Sequence, residues 1–325
     1  MLNSLKCYLR GEYRPGGFPR EFFDRWYKSE GAVENPAGAC IFMCDGRMPH
    51  GGLSDRLKGA LSTYRMARVM GYKFRIHWDS PFNLTDYLVP NRVQWQIAPS
   101  EISYSPAQAQ PVFVMWNSRN RKWPRTFDTL RFVLFLLRRR RQQHIYSNTS
   151  LVTGGGISKL YKKLFKPSAR LAAALEPHRG AMGPGYHSYS FRFQQLLGDF
   201  HDTMTSPLPD EEAEELMRRC GQKLLELINL QPEGTRALVA SDSSRFVKYA
   251  AELSDRIYVI DGTIAHSDGA ASEGDSDAWL KTFVDQHMIM EAEKVHLLRT
   301  GKMYRSGFPQ FAAAVGGRPF VVHEF

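Results

Sequence analysis

The sequence predicts an α/β protein built as two open domains with parallel sheets. Three observations carry that reading. Short apolar runs such as GACIFMC (Gly38 to Cys44) and RALVA (Arg236 to Ala240) alternate with stretches of helical apolar spacing. The same alternation restarts after a segment richer in Pro and Gly, Lys166 to Gly185. The 325 residues also suffice for two domains of ordinary size. The expected division is a helical or irregular leader over 1–35, a first domain over 36–180 and a second over 181–325.

In the first domain, Gly38 to Cys44 reads as a strand. In SDRLKGALSTYRMARVMG, residues Leu57, Ala60, Leu61, Tyr64, Ala67 and Met70 recur at helical spacing. Ser54 is placed to cap that helix and Gly71 to end it. Tyr72 to Trp78, Val112 to Trp116 and His144 to Asn148 read as further strands, with TFDTLRFVLFLLRRRRQQ as a helix between the last two. In the second domain HSYSFRF is a strand. DEEAEELMRRCGQKLLELINL is a long helix with acids in its first turn, as the helix dipole favours. RALVA, RIYVI, KVHLLR and PFVVH follow as strands, separated by the helices SSRFVKYAAELS, AWLKTFVDQHMIMEA and GFPQFAAAVG. Two such domains facing each other would form a cleft at the carboxyl ends of their strands.

Composition narrows the class. At 43% hydrophobic and 23% charged, the chain has the make-up of a globular protein with substantial cores. A net charge of +10 favours anionic partners: phosphorylated small molecules, anionic lipid surfaces or nucleic acid. Cys7, Cys40, Cys44 and Cys220 form neither a disulfide framework nor a CxxC pair, and read as buried thiols of a reducing compartment. Neither a signal peptide nor an apolar run of membrane-spanning length is visible, so the expected location is cytoplasmic, with room for peripheral contact at a membrane surface.

Several stretches could carry chemistry. In DGRMPHGGLSDRLKG (Asp45 to Gly59), Gly51 and Gly52 bring backbone N–H groups to the start of a helix, a natural polar-ligand site. The pattern is not GxGxxG, and a plain turn with Asp55 as dipole partner is the competing reading. Arg192 lies near the end of a strand and suits phosphate oxygens; an ion pair, for instance to Asp199, is its alternative. Ser241, Asp242, Ser243 and Ser244 lead from a strand into a helix, where they can hold a phosphate or ribose or simply cap. Asp285 sits in an otherwise apolar helix. Ser306 and Gly307 repeat the strand–hydroxyl–helix arrangement after Lys294 to Arg299. Asp275-Ser276-Asp277 has the form of a metal-binding DxD, but N-capping by Asp277 is the favoured reading, and no metal is expected. Arg138 to Arg141 read as the solvated end of a helix, with contact to an anionic membrane or charged glycan as the alternative. No nucleic-acid reader motif accompanies the charge, and GxSxG, HExxH and GxxxxGK[ST] are absent.

Taken in order, HGGLSDRLKG, SFRFQQLLGDF, VASDS and the segment from Asp285 to Ser306 resemble the conserved blocks of the fucosyltransferase superfamily. That superfamily includes the α1,2- and α1,6-fucosyltransferases, the nodulation fucosyltransferase and the protein O-fucosyltransferases. The resemblance spans about Gly38 to Phe320 and departs from the family in having Ser190 for the usual His, Asp55 for Asn, and a longer spacing to Asp199. It implies a GT-B fold, two facing Rossmann-like domains with a cleft between them, in a divergent bacterial-type member. It further implies inverting transfer of L-fucose from GDP-β-L-fucose to a glycan hydroxyl without a metal. Arg192 would then hold the diphosphate, Asp242 the nucleotide, and Asp285 and Ser306 the guanine and phosphate. Gly51, Gly52, Ser241, Ser243 and Gly307 complete the expected donor contacts, and Asp55 and His50 are the candidate general bases. A lipid-linked or surface-polysaccharide precursor is the expected acceptor, and no nucleic acid is expected as a partner. Another GDP- or UDP-sugar glycosyltransferase, or a non-catalytic nucleotide-sugar or glycan-binding protein, are the alternatives.

Overall fold

The computed structural model describes residues 13–14, 18–48, 50–114, 142–148, 150, 156–199, 206–262 and 276–325. The chain divides into two compact units, Met1–Leu84 with Pro90–Lys166, and Thr85–Val89 with Pro167–Phe325.

The first unit begins with a short antiparallel pair, β1 (Tyr13–Arg14) and β2 (Phe18–Pro19), and helix α1 (Arg20–Trp26). Phe22 and Tyr27 from this leader join the core cluster that includes Ile41 and Tyr146. β3 (Ala39–Cys44), α2 (Leu53–Val69) and β4 (Lys73–Trp78) follow. β5 (Leu88–Pro90) falls where the chain first passes between units, and β6 (Ala109–Val114), β7 (Gln142–Ser147) and α3 (Gly156–Leu164) complete the first unit. Its sheet runs β4-β3-β7-β6 with every pair parallel. Every residue of β3 is buried, as a central strand of a doubly covered parallel sheet requires, whereas β4 at the edge alternates.

Two expectations are corrected in this unit. Ser54 does not cap α2: Gly52 occupies the N-cap position, and the Ser54 hydroxyl is buried without a hydrogen-bond partner. The positive φ, +75°, belongs to Gly51 just before Gly52, a backbone conformation that suits glycine. Gln142 and Gln143 belong to β7 rather than to the preceding helix. Their amide oxygens are satisfied by other segments, Gln142 Oε1 accepting from Ser103 N in a loop at 3.0 Å and Gln143 Oε1 from Gln110 Nε2 of β6 at 2.5 Å. The helix expected before them, with Arg138 to Arg141, lies outside the described residues.

The second unit opens with β8 (Phe165–Pro167), where the chain crosses over, and α4 (Ala169–Met182). The Pro- and Gly-rich stretch is therefore mostly helix, capped by Ser168 accepting from Leu171 N, and the expected division at 180/181 falls inside it. Then come β9 (His187–Phe191), α5 (Asp210–Asn229), β10 (Ala237–Ser241), α6 (Ser244–Ala251), β11 (Ile257–Val259), α7 (Ser276–Glu291), β12 (Lys294–Arg299), α8 (Gly307–Gly316) and β13 (Phe320–Glu324). The sheet order is β11-β10-β9-β12-β13, all parallel. Numbered by appearance this is 3-2-1-4-5, the order of a Rossmann sheet. Apolar residues of α5 and α6 cover β9 and β10, while α7 packs between α4 and α8. The order reverses between β9 and β12, and that switch point is where such sheets bind ligands, outside their carboxyl ends. Among the described residues, no helix is long and apolar enough to cross a membrane.

Candidate functional site

At the switch point of the second unit, β9 ends at Phe191, so Arg192 is the first residue beyond the strand rather than part of it. Its side chain is 27% exposed and its Nη1 lies 3.3 Å from Asp242 Oδ2. The ion-pair partner is therefore Asp242 at the end of β10, not Asp199. These positions are neighbours because Phe191 and Ser241 pair across the sheet. Asp242 also accepts from Phe193 N at 2.8 Å and Gln194 N at 2.7 Å. Phe193 is right-handed and Gln194 has φ +55°, so the two amides converge on the carboxylate as an anion nest. Burial pushes the Asp242 carboxyl up from the usual range, opposed by Arg192 and the two amides. Both oxygens are receiving donors, which is the pattern of the ionised form.

Asp199 serves elsewhere. Its Oδ2 accepts from Ser243 Oγ at 2.9 Å, Ser244 Oγ at 3.2 Å and Arg245 N at 2.7 Å, filling the N-terminus of α6. Ser243 is the N-cap, accepting from Phe246 N, and is completely buried. Ser241 Oγ accepts from Ser243 N at 3.1 Å. The anion site expected at this helix start is thus occupied by the chain's own carboxylate. Across the switch point, Ser306 caps α8 by accepting from Phe308 N, and Gly307 begins the helix. The preceding loop is tied to the arginine directly, Tyr304 N donating to the Arg192 carbonyl at 3.1 Å. Tyr304 is 51% exposed there. As a loop aromatic it has no periodicity to mark it in the sequence.

Asp285 lies partly buried within α7, paired with Lys281 Nζ at 2.5 Å, one helical turn away. Burial pushes its carboxyl up while Lys281 pulls the other way. Asp277 is not an N-cap: α7 starts at Ser276, and Asp277, in its first turn, reaches Arg170 at 3.0 Å. Asp275 lies outside the described residues. Among the described residues no cluster of three His, Cys, Asp or Glu could hold a metal.

At the carboxyl edge of the first sheet, the glycine loop sits between the ends of β3 and β7. Gly51 has its carbonyl taken by Arg56 Nε at 2.8 Å. Arg56 is buried and also donates to Ser80 O at 3.1 Å and approaches Cys44 Sγ at 3.1 Å, fixing the loop from beneath. Its position one turn after Leu53, on the helix's apolar stripe, was the sequence signal for this. Asp55 stands in the first turn of α2, 47% exposed, in an ion pair with Lys58 at 3.0 Å. His50, expected at an open edge, is 1% exposed, stacked on Tyr146 and set edge-on to Phe42. Its Nδ1 lies 3.4 Å from the Ser147 carbonyl. Burial and the nearby Arg56 push it down to about 4, so it stands neutral. A neighbouring network that sequence did not suggest joins Asp45 to Arg47, Tyr146 and Tyr104.

No protein-family model and no curated protein sequence matches the chain. Solved structures do. The NodZ α-1,6-fucosyltransferase soaked with GDP-fucose superposes with a TM-score of 0.54 at 12% identity, over 85% of this chain and 92% of that one. Arabidopsis thaliana FUT1, a mutant in complex with GDP, gives 0.56 at 10% identity over 99% and 78%. POFUT1 in its apo form gives 0.50 at 10% identity over 90% and 99%. With its two parallel-sheet units and the Rossmann order of the second, the chain has the fold of the GT-B fucosyltransferases.

Proposed function

We propose that the chain is an inverting glycosyltransferase that moves L-fucose from GDP-β-L-fucose to a glycan hydroxyl. The observation that carries the reading is Arg192, partly open to solvent at the carboxyl end of the first strand of a Rossmann-ordered sheet, at its switch point. A guanidinium there suits a nucleotide diphosphate, which must accept negative charge as the glycosidic bond breaks. The neighbours of the same fold include one soaked with GDP-fucose and one bound to GDP, which favours that donor over other nucleotide sugars.

In this reading an acceptor hydroxyl attacks the anomeric carbon from the face opposite GDP. The C–O bond to the diphosphate breaks through an oxocarbenium-like transition state, and the product is an α-fucoside. Arg192 stabilises the departing GDP. Asp55, exposed at the edge of the first sheet, is the proposed base that takes the hydroxyl proton; His50, buried and made a weak base by a value pushed down to about 4, is set aside for that role. The acceptor is proposed as a surface-glycan precursor. The donor-facing roles of Ser306 and Gly307 remain part of the proposal.

Titration calorimetry with GDP, UDP and ADP, with and without EDTA, on wild type and Arg192→Ala tests it. Selective, EDTA-insensitive GDP binding that Arg192→Ala weakens by at least about tenfold, followed by transfer from GDP-fucose, is the expected result. Preference for UDP discards the donor, and loss with EDTA discards the metal-free mechanism. Near-normal turnover in Arg192→Ala removes the assignment of that residue.

A further inference from the structure

The resemblance assigned Asp242 to the nucleotide, but the geometry around it gives a different job. We infer that Asp242 is a positioning residue that acts through Arg192, holding the loop after β9 in the one conformation that aims the guanidinium. This rests on the proposed donor reading of Arg192. Three donors from three consecutive residues converge on the carboxylate: Arg192 Nη1 at 3.3 Å, Phe193 N at 2.8 Å and Gln194 N at 2.7 Å. Asp242 itself is 5% exposed, so it is walled off from solvent while Arg192 is not.

The loop needs such a clamp. Gln194 is the non-glycine residue with positive φ among the described residues, at +55°. A left-handed side-chain-bearing residue persists only where its surroundings over-determine it. Two amides pointing the same way also repel each other electrostatically unless an anion faces them. Asp242 supplies that anion, and as a carboxylate anchored on the neighbouring strand it ties the turn to the sheet. The turn is secured on its other side as well, because the Arg192 carbonyl accepts from Tyr304 N. Arg192 therefore leaves the sheet in a direction set by both strands that flank it, β10 through Asp242 and β12 through Tyr304.

The test compares wild type with Arg192→Ala, Asp242→Asn and the double variant. Asp242→Asn keeps the size of the side chain but turns one acceptor into a donor facing the amides. Each single change is expected to weaken GDP binding by about tenfold or more, and the double to be no weaker than the worse single, because both changes remove one unit. A double variant that loses the product of the two single factors would mean that Asp242 touches the nucleotide independently, and would overturn the inference. So would Asp242→Asn that lowers the melting temperature yet leaves GDP affinity unchanged. Hydrogen exchange supplies a readout that needs no nucleotide. The peptide carrying the Phe193 and Gln194 amides should exchange slowly in wild type and at least about tenfold faster in Asp242→Asn. Unchanged exchange there refutes the clamp whatever the donor. If wild type binds no GDP but the exchange effect appears, the donor reading fails while the positioning of Arg192 by Asp242 stands.

Discussion

Gly59 offers a perturbation whose sign runs against helix propensity. It lies within α2, where replacing glycine by alanine ordinarily stabilises by about 1 kcal/mol. A Cβ at this position would stand 2.0 Å from the Ser147 carbonyl oxygen, 2.7 Å from its carbon and 2.9 Å from a ring carbon of Phe42. Relief to the 3.0 Å below which real Cβ contacts are essentially never seen requires a shift of about 1 Å. Neither obstacle can rotate away: one is the backbone at the end of β7, the other a ring with no exposure at all. Overpacking costs typically ~1–3 kcal/mol, and rigid obstacles put this case at the upper end, so Gly59→Ala should lose about 2 kcal/mol net. In a unit of this size that lowers the melting temperature by roughly 4–8 °C. Thermal and urea unfolding beside Gly180→Ala check this. Gly180 is an exposed helix position with nothing within 4 Å of its Cβ, where the same change should be neutral or stabilising. Gly59→Ala as stable as wild type, or indistinguishable from Gly180→Ala, would refute the reasoning. The clash has a further consequence, since the Ser147 carbonyl is also the partner of His50 at the glycine loop.

Three further outcomes are expected. Burial holds His296 and His144 down at about 3 and His50 at about 4, and lowers His187 and His323, which flank His296 in a row of imidazoles 3.3 and 2.8 Å apart. Folded-state values below the unfolded ones mean that the unfolded chain binds more protons in acid. Stability should be full above about pH 6.5 and fall steadily towards pH 3–4. Urea midpoints that stay flat across that range would contradict this, and His296→Gln should blunt the loss. Lys281→Met leaves the partly buried Asp285 without its cation and should cost about 3 kcal/mol, most of it recovered by adding Asp285→Leu; calorimetric unfolding of both variants decides. Cys40, Cys44 and Cys220 are buried and free, with Cys44 pushed up to about 11 and Cys220 to about 12. In a Cys7→Ser variant, a thiol reagent at pH 8 should therefore react only as fast as the protein opens.

The strands and helices that bury a face were legible because burial writes a period into the sequence. β3, β9, β10 and β12 were all placed to within a residue or two, as were α5 and α8. What escaped was decided by partners distant in sequence. Gln142 and Gln143 look like the polar tail of a helix, and only the amides of Ser103 and Gln110 show why they can be buried in a strand. α4 hid behind Pro177 and its glycines, because composition reports linkers better than it reports a helix that tolerates one proline. At the site, Arg192 was readable as a cation at a strand end, but which acid would meet it was not. Asp199 is the nearer in sequence, and Asp242 the nearer in the sheet, because pairing of β9 with β10 outweighs chain proximity. His50 failed for the opposite reason: a polar residue in a glycine loop suggests exposure, and the aromatic walls of Phe42 and Tyr146 are contributed by β3 and β7.

The sequence offered three sources of positive potential at the second sheet: the starts of two helices, and Arg192. Asp199 already occupies the start of α6. At α8 the Ser306 hydroxyl takes the Phe308 amide, and Pro309 has no amide to give. A diphosphate at the switch point would therefore find few preorganised backbone donors at these two helix starts beside Arg192. Such a site should lean on Arg192 more heavily than a site built on helix termini, where the loss of one donor leaves others in place. Lysine at this position would keep the charge but lose the planar fork that can face a phosphate and the Asp242 carboxylate together. On the proposed reading, Arg192→Lys should thus behave closer to Arg192→Ala than to wild type in GDP affinity. Full retention of binding by the lysine variant would show that charge alone, and not the geometry fixed by Asp242, is what the donor requires.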